Sequence, residues 1–202
     1  MNARDRRTAV VVAGHGGDSE VARRHLGDPD GSVRAAALSA LERIGTLTDR
    51  QVVDAFDDVD AAVRRRAAEL AATRIPIDLL PLLADTDPTV VEVAAWACGE
   101  QESVSDDVLE RLVDLTTGAP DQLVREAAAA ALGAIGDIRG LPAILTACSD
   151  KPHVRRRAVL ALAPFDGIEV DAAIDRALDD RDWQVRQAAE DLRRATGSSD
   201  LG

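Results

Sequence analysis

One short phrase recurs six times along this chain of 202 residues: an acidic turn, a Val-Arg step and a run of small apolar residues. The first copy reads DPDGSVRAAALSALERIG from Asp28, and the last reads DRDWQVRQAAEDLRRATG from Asp180. The valines that mark the six copies lie 27 to 34 residues apart, at positions 33, 63, 90, 124, 154 and 185. A period of this length predicts a stacked array, in which each repeat packs on its neighbours, rather than one globular core.

Each Val-Arg run has the apolar periodicity of a helix. In the first copy, the apolar side chains fall on one stripe, formed by Val33, Ala37, Leu41 and Ile44. Asp and Pro before the runs favour helix starts, and a shorter amphipathic segment precedes most runs. Glycines after three runs indicate helix ends in a left-handed turn: Gly45, Gly136 and Gly197. Each repeat is therefore predicted to be a pair of antiparallel helices joined by an acidic turn.

These repeats predict a single repeat domain over residues 1–197. Its parts are a half-repeat cap at 1–17 and repeats at 18–45, 46–74, 75–101, 102–136, 137–166 and 167–197. The last run carries extra charged residues, as a terminal cap facing water requires. The polar segment 198–202 is expected to be disordered. The predicted fold class is all-α, a right-handed α-solenoid (superhelix) of about six antiparallel helix pairs.

The composition of the chain indicates which cellular compartment and which kinds of partner to expect. The net charge of −12 disfavours nucleic acid as a partner, because phosphate binding is driven by cations. Two cysteines, Cys98 and Cys148, do not indicate a disulfide framework, so a reducing compartment is expected. No apolar run approaches the roughly 18 residues of a membrane span, and AVVVAG near the N-terminus is too short for a signal peptide core. We expect a soluble, acidic, cytoplasmic protein.

The pattern Asp-x(5)-Arg, with Val before the Arg and Ala-x(3)-Leu-Gly after it, resembles the short HEAT-like repeats first named in phycocyanobilin lyase (PBS lyase) subunits. The resemblance covers nearly the whole chain, and its period of about 30 residues is shorter than the usual HEAT period of about 40 or more. It implies an armadillo-like helical scaffold. It also implies a ladder between adjacent repeats, made by the turn Asp and the Arg of the Val-Arg step.

The candidate ladder pairs have Asp and Arg six residues apart within one repeat. The structural ladder residues are Asp28, Arg34, Asp58, Arg64, Arg125, Arg155, Asp180 and Arg186. The third repeat has Val91 in place of Arg, and the fourth and fifth have Ala119 and Ser149 in place of Asp. The ladder is therefore expected to be interrupted in the middle of the array.

Positions two, five, six and nine after each marker valine are predicted to lie opposite the core stripe, on the concave surface formed by the second helices. In the third to fifth repeats this surface is apolar, with Trp96 at its centre and small residues that are expected to leave space. The position-two row, which includes Arg65, would form a charged rim. The partner-binding hypothesis comprises Trp96, Glu92, Ala95, Gly99, Glu126, Ala129, Ala130, Gly133, Arg156, Val159 and Leu160. The alternative is that Trp96 belongs to the core. An error of one residue in assigning positions to the helix faces rotates the assignment by about 100° and would place Trp96 there.

Two arginine triplets, Arg64–Arg66 and Arg155–Arg157, allow two interpretations. They form a basic patch for phosphates, or they pair with acids of the turns such as Asp57, Asp60 and Asp150. Trp183 is expected to pack near Phe165. The histidines form no pair with Glu of the kind that builds the di-iron centre of deoxyhypusine hydroxylase, and the cysteines have no clustered partner for zinc.

These features favour a non-enzymatic scaffold or adaptor that binds a peptide or helix of another protein on the concave second-helix face. One alternative, which depends on the resemblance alone, is an auxiliary lyase or chaperone-type subunit that handles a tetrapyrrole or another apolar cofactor. A second alternative is binding of a nucleic-acid backbone through the arginine clusters. We expect no catalytic residue, cofactor, metal or membrane contact, and the oligomeric state and the identity of the partner stay open.

Overall fold

The computed structural model describes residues 1–74 and 77–197, and this part of the chain is helical. The described residues form thirteen α-helices, with short 3-10 turns at His25–Gly27, Ala55–Asp57 and Ile138–Gly140. The α-helices are α1 Ala3–Gly16, α2 Ser19–Arg24, α3 Gly31–Ile44, α4 Asp49–Asp54, α5 Ala61–Ala71, α6 Leu80–Leu83, α7 Pro88–Glu100, α8 Asp106–Gly118, α9 Gln122–Ile135, α10 Leu141–Ala147, α11 Pro152–Ala161, α12 Ile168–Leu178 and α13 Trp183–Gly197. The predicted all-α class is confirmed, while the predicted disordered tail at 198–202 lies outside the described residues.

The chain divides into two compact parts, which we call the N-terminal block (Met1–Ala97) and the C-terminal block (Cys98–Gly202). In the N-terminal block, the second helices α1, α3 and α5 pack in sequence, and the first helices α2 and α4 pack on α3 and α5. In the C-terminal block, α9, α11 and α13 pack in sequence, with α8 on α9 and α12 on α13. Within each block, the structure therefore has the predicted pairs of first and second helices.

Valine and alanine fill the core because closely spaced helices leave little room for larger side chains. All six marker valines are buried, with exposed fractions of 3% or less. The prediction that they form the core stripe is confirmed. Gly45 and Gly136, with φ of 77° and 69°, end α3 and α9 in the left-handed conformation that the sequence predicts.

The acidic turn contains two aspartates with different structural roles. The second one caps the following helix: the Asp30 carboxylate accepts a hydrogen bond from the Ser32 amide at 2.9 Å. The first one closes the turn, since Asp28 Oδ1 accepts from the Asp30 amide at 3.0 Å. The same two bonds recur at Asp58 and Asp60. The Asp-x-Asp spacing thus fixes the chain between the two helices of a repeat.

The arginine ladder is present, but it joins each Arg to the Asp of the next repeat rather than to its own. Arg34 donates from Nε and Nη2 to the Asp58 carboxylate at 2.8 and 2.6 Å, and its Nη1 donates to the Asp28 carbonyl at 2.7 Å. Arg64 makes the same bonds to the carboxylate of Asp85 and the carbonyl of Asp58. The prediction of carboxylate pairs six residues apart is wrong, because the guanidinium meets only the carbonyl of its own turn.

The ladder continues through most of the chain with this register. Arg6 pairs with Asp28 in the N-terminal block. In the C-terminal block, Arg125 pairs with Asp150 and Arg155 pairs with Asp180. The predicted break at the fifth repeat is therefore wrong, because Asp150 replaces the missing aspartate at Ser149. At the end of the ladder, Arg186 donates to the Asp180 carbonyl at 2.7 Å and has no carboxylate partner in residues 1–74 and 77–197.

The middle of the sequence lacks one complete rung of this ladder. Val91 stands where the third repeat would have its Arg, and Ala119 stands where the following repeat would have the Asp partner. A lone charge left by a single replacement would be destabilising in a partly buried place. Because both charged members are replaced, neither position carries an unpaired charge.

The ladder also predicts how stability depends on pH. Hydrogen bonds from Arg6 lower the pKa of Asp28 to about 2, and those from Arg64 and Arg155 hold the pKa values of Asp85 and Asp180 below the ordinary range. Because these values lie below those of the unfolded chain, which are about 4, the folded state keeps its carboxylates charged when the unfolded state would protonate them. The contribution is complete above about pH 4 and is lost as the pH falls towards about 2.

We therefore expect the urea midpoint to decrease steadily between about pH 4 and pH 2. In the double variant Arg34→Gln with Asp58→Asn, which removes one rung, this decrease should be shallower than in the wild type. The control Asp54→Asn, whose side chain is 63% exposed, should keep the wild-type slope. A midpoint that does not change over this range would contradict the ladder as a source of stability.

Candidate partner-binding surface

Position five after the marker valine is buried in the first five repeats, contrary to the sequence prediction, and only Glu190 of the sixth repeat is exposed there. Ala95, Ala129 and Val159 have exposed fractions of 0%, 0% and 1%, and Leu38 and Ala68 are buried in the same way. Second helices such as α3 and α11 contact the second helices before and after them as well as their own first helix, so their buried arc is wider than one stripe. These three members of the predicted site cannot touch a partner.

Trp96 lies on the surface in the middle of α7, and its exposed fraction is 47%. The neighbouring Ala94, Ala95 and Ala97 are buried, so in this part of α7 the Trp96 side chain faces outward and its neighbours face inward. The alternative in which Trp96 belongs to the core is wrong. We use the term second-helix face for positions two and six after each marker valine, which are partly or fully exposed in all six repeats.

Two predicted site glycines are contact points between helices rather than open space. A Cβ at Gly133 would lie 2.6 Å from both Cα and Cβ of Ala161, and a Cβ at Gly99 would lie 3.1 Å from Cα of Ala131. Gly14 meets Ala40 in the same way in the N-terminal block. In each case the glycine is the twelfth residue of one second helix and faces an alanine of the next. The expectation that these glycines leave room for a partner is wrong.

In the C-terminal block, the second-helix face combines charge with small apolar side chains. Glu126 and Ala130 are partly buried, and Leu160 is 37% exposed. Arg157 approaches Glu126 with 3.6 Å between Nε and Oε1. Nε of Arg156 is buried and has no hydrogen-bond partner among the described residues. This part of the face is thus a mixed surface rather than a continuous apolar floor.

The two arginine triplets are divided between structure and surface. The first member of each, Arg64 and Arg155, belongs to the ladder and pairs with the carboxylates of Asp85 and Asp180. The third member pairs on its own face: Nη1 of Arg66 lies 2.6 Å from Oε2 of Glu69. The structural interpretation is therefore confirmed for these residues, but their carboxylate partners are not Asp57, Asp60 or Asp150. Arg65 remains exposed.

Two exposed apolar features were not predicted from the sequence. Ile138 and Ile168, 65% and 85% exposed, line a groove of about 720 Å³ on the first-helix side of the C-terminal block. Ile138 is the first residue of a 3-10 turn and Ile168 is the first residue of α12, so no periodic pattern signals their exposure. Trp183 is 64% exposed and Phe165 is buried, and the expected packing of Trp183 near Phe165 stays a prediction.

Two observations bear on chemical sites in the described ranges. Within residues 1–74 and 77–197, no three His, Cys, Asp or Glu side chains form a group that could hold a metal ion. Burial raises the pKa of the Cys148 thiol to about 11, which disfavours the nucleophilic thiolate. Among the described helices, none has the length and apolar character needed to cross a membrane.

Comparison with known proteins agrees with this geometry. A family model of HEAT repeats matches residues 76–163 and 109–193. The Escherichia coli protein YibA has a similar structure, with a TM-score of 0.61 and 21% identity over 84% of this chain and 67% of YibA. A designed armadillo repeat protein in complex with the peptide (KR)4 has a TM-score of 0.60 and 17% identity over 86% of this chain and 97% of its own. No curated protein matches the sequence.

Proposed function

Because the chain belongs to the HEAT-repeat family, we propose that it is a non-enzymatic scaffold or adaptor that binds a peptide or helix of a partner protein on its second-helix face. Repeat folds of this kind commonly serve as protein-interaction scaffolds. The designed armadillo protein of similar fold is in complex with a peptide. These facts support a role in protein binding, and the exposure of Trp96 supports the second-helix face as the binding surface.

The exposure of Trp96 is the observation that carries this proposal. An indole that is 47% exposed, between buried alanines, leaves about half of its surface free to meet a partner. Tryptophan is enriched among the anchor residues of protein interfaces, because its large flat side chain can bury much area with little loss of entropy. The partly buried Glu92 lies one turn earlier on the same face and supplies a polar edge.

The replacement Trp96→Ala tests the anchor. The wild-type protein is used to select binders from a library of displayed 12-residue peptides, and the most enriched sequence is synthesised and titrated by calorimetry. We expect Trp96→Ala to weaken its binding by about 30-fold, as loss of roughly 2 kcal/mol at an interface anchor implies. Circular dichroism should show unchanged helicity, because the half-exposed indole lies at the surface of α7.

Trp183→Ala is the matched control. It removes the same side chain from another exposed place, at the first residue of α13, and should change the affinity less than about threefold. Equal affinities for the Trp96→Ala variant and the wild type, or failure of any peptide to be enriched, would contradict the proposal. A cytoplasmic location, and the alternative of an auxiliary lyase subunit with an apolar cofactor, stay predictions from the sequence.

A further inference from the structure

A groove of about 320 Å³ crosses the second helices α1, α3 and α5 within the N-terminal block. Its floor consists of small side chains, among them Ala36 and Ala40 of α3. Val11 of α1 lies at its edge and is 44% exposed. The groove is separate from Trp96, which is not among the residues that line it.

The walls of this groove are basic although the protein is acidic. Four arginines line it, Arg7, Arg43, Arg65 and Arg66, against the single carboxylate of Glu69. The net charge of the whole chain is −12. Four cations from three different helices in one groove therefore reverse the sign of the surface locally, which favours an anionic occupant.

Most of this positive charge is not used by the fold. Arg7, Arg43 and Arg65 are exposed, and none lies within 4.0 Å of a carboxylate in the part of the chain that the structure describes. Arg66 bonds to Glu69 through Nη1, while its buried Nε has no partner among the described residues. These guanidinium groups contrast with those of the ladder, whose donors are occupied on both sides.

The size of the groove favours a short peptide. Three neighbouring helices spaced by about 8–10 Å extend over about 16–20 Å, which is the length of five or six extended residues at about 3.3 Å each. Alanines on the floor let a peptide backbone approach, and guanidinium groups bind carboxylates in a planar, bidentate way. A long polyanion such as nucleic acid would need many phosphate contacts and would meet the acidic surface beyond the groove.

We propose that this groove binds a short acidic segment of a partner protein, a run of Asp and Glu residues held by Arg7, Arg43 and Arg65. The site is independent of the anchor role of Trp96. The same fold in the designed armadillo protein is in complex with a basic peptide, so the arginines of this chain would give the face the opposite charge preference.

Fluorescence anisotropy with a labelled octapeptide (DE)4 tests the proposal at about 50 mM salt, where charge contacts are strong. The isosteric neutral peptide (NQ)4 and the basic peptide (KR)4 are the matched probes. We expect (DE)4 to bind at least about tenfold more tightly than either. The double variant Arg43→Glu with Arg65→Glu should weaken binding of (DE)4 by about tenfold or more, since it replaces attraction by repulsion.

The control variant carries Arg23→Glu with Arg50→Glu, which changes the net charge equally but lies on the first helices α2 and α4. It should weaken binding less than about threefold, as should Trp96→Ala. If the groove variant fails to fold, the single change Arg65→Gln on an exposed side chain replaces it. The proposal is overturned if both double variants lose the same affinity for (DE)4, or if (NQ)4 binds as well as (DE)4. It is also overturned if inorganic phosphate at about millimolar concentration displaces (DE)4, or if single-stranded DNA binds more tightly than (DE)4 through the same arginines.

Discussion

Replacing Asp58 with alanine is expected to lower the free energy of unfolding by about 3 kcal/mol. The Asp58 carboxylate holds Arg34 of the preceding repeat by two bonds of 2.6 and 2.8 Å, and it closes its own turn through the Asp60 amide. Both partners of the pair are mostly buried, with side-chain exposures of 13% and 14%. The change leaves a guanidinium group without its carboxylate in a place that water reaches poorly.

Urea denaturation of the wild type and three variants measures this effect. Asp54→Ala removes a carboxylate that is 63% exposed and lies 3.6 Å from Arg50, so a loss below about 0.5 kcal/mol is expected. The double variant Arg34→Met with Asp58→Leu should be more stable than Asp58→Ala alone, because no unpaired charge remains. Equal losses of unfolding free energy for Asp58→Ala and Asp54→Ala would contradict a specific contribution of the ladder to stability.

Replacing Gly133 with alanine is expected to destabilise the protein by about 2 kcal/mol, although alanine is the better helix former. The gain in helix propensity is about 1 kcal/mol. The opposing effect is a steric clash. The new Cβ would lie 2.6 Å from Cα of Ala161 and 2.9 Å from its carbonyl oxygen, and these backbone atoms cannot move aside alone. Overpacking of this kind costs about 1–3 kcal/mol or more, so α9 and α11 would have to separate.

Gly118→Ala is the matched control in the same block. Gly118 is the last residue of α8, it is not among the glycines with positive φ, and an added Cβ would meet nothing within 4 Å. That variant should be as stable as the wild type or slightly more stable. Thermal unfolding of both variants decides the point: a Gly133→Ala protein that melts at or above the wild-type temperature would contradict the close approach of α9 and α11.

The repeat period and the buried valines could be predicted from the sequence, but the register of the ladder could not. Each Arg of a Val-Arg step has two acidic turns within reach, its own and that of the next repeat. Sequence spacing favours the nearer one. The structure places the Arg34 guanidinium between both turns, with the Asp28 carbonyl on one side and the Asp58 carboxylate on the other. Val91 and Ala119 agree with this register, since the third repeat lacks its Arg and the fourth lacks its Asp, but this coincidence alone does not select it.

The candidate surface was predicted only in part because a helical wheel treats each helix as having one neighbour. An inner second helix such as α11 has neighbours on three sides, which buries Val159. Ala95 and Ala129 are buried at the same position of their helices, while Trp96 is exposed. The same packing explains Gly133, whose missing side chain serves the contact with Ala161.

The basic groove was missed for a different reason. Its arginines come from three helices and span positions 7 to 66, so no local run of charge reveals the cluster. The visible triplet Arg64–Arg66 suggested one patch, yet its first member belongs to the ladder. Only the stacking of α1, α3 and α5 brings Arg7, Arg43 and Arg65 to one groove.

The indole N–H signals of the two tryptophans test the central claim, that the second-helix face is the partner-binding surface. Trp96 and Trp183 are the only tryptophans in the chain, so a nitrogen–proton correlation spectrum separates them, with assignment by replacement of each with Phe. The synthetic form of the most enriched displayed peptide is the titrant. We expect the Trp96 signal to shift progressively and the Trp183 signal to stay in place. A shift of Trp183 alone, or of neither signal at saturating peptide, would contradict the account.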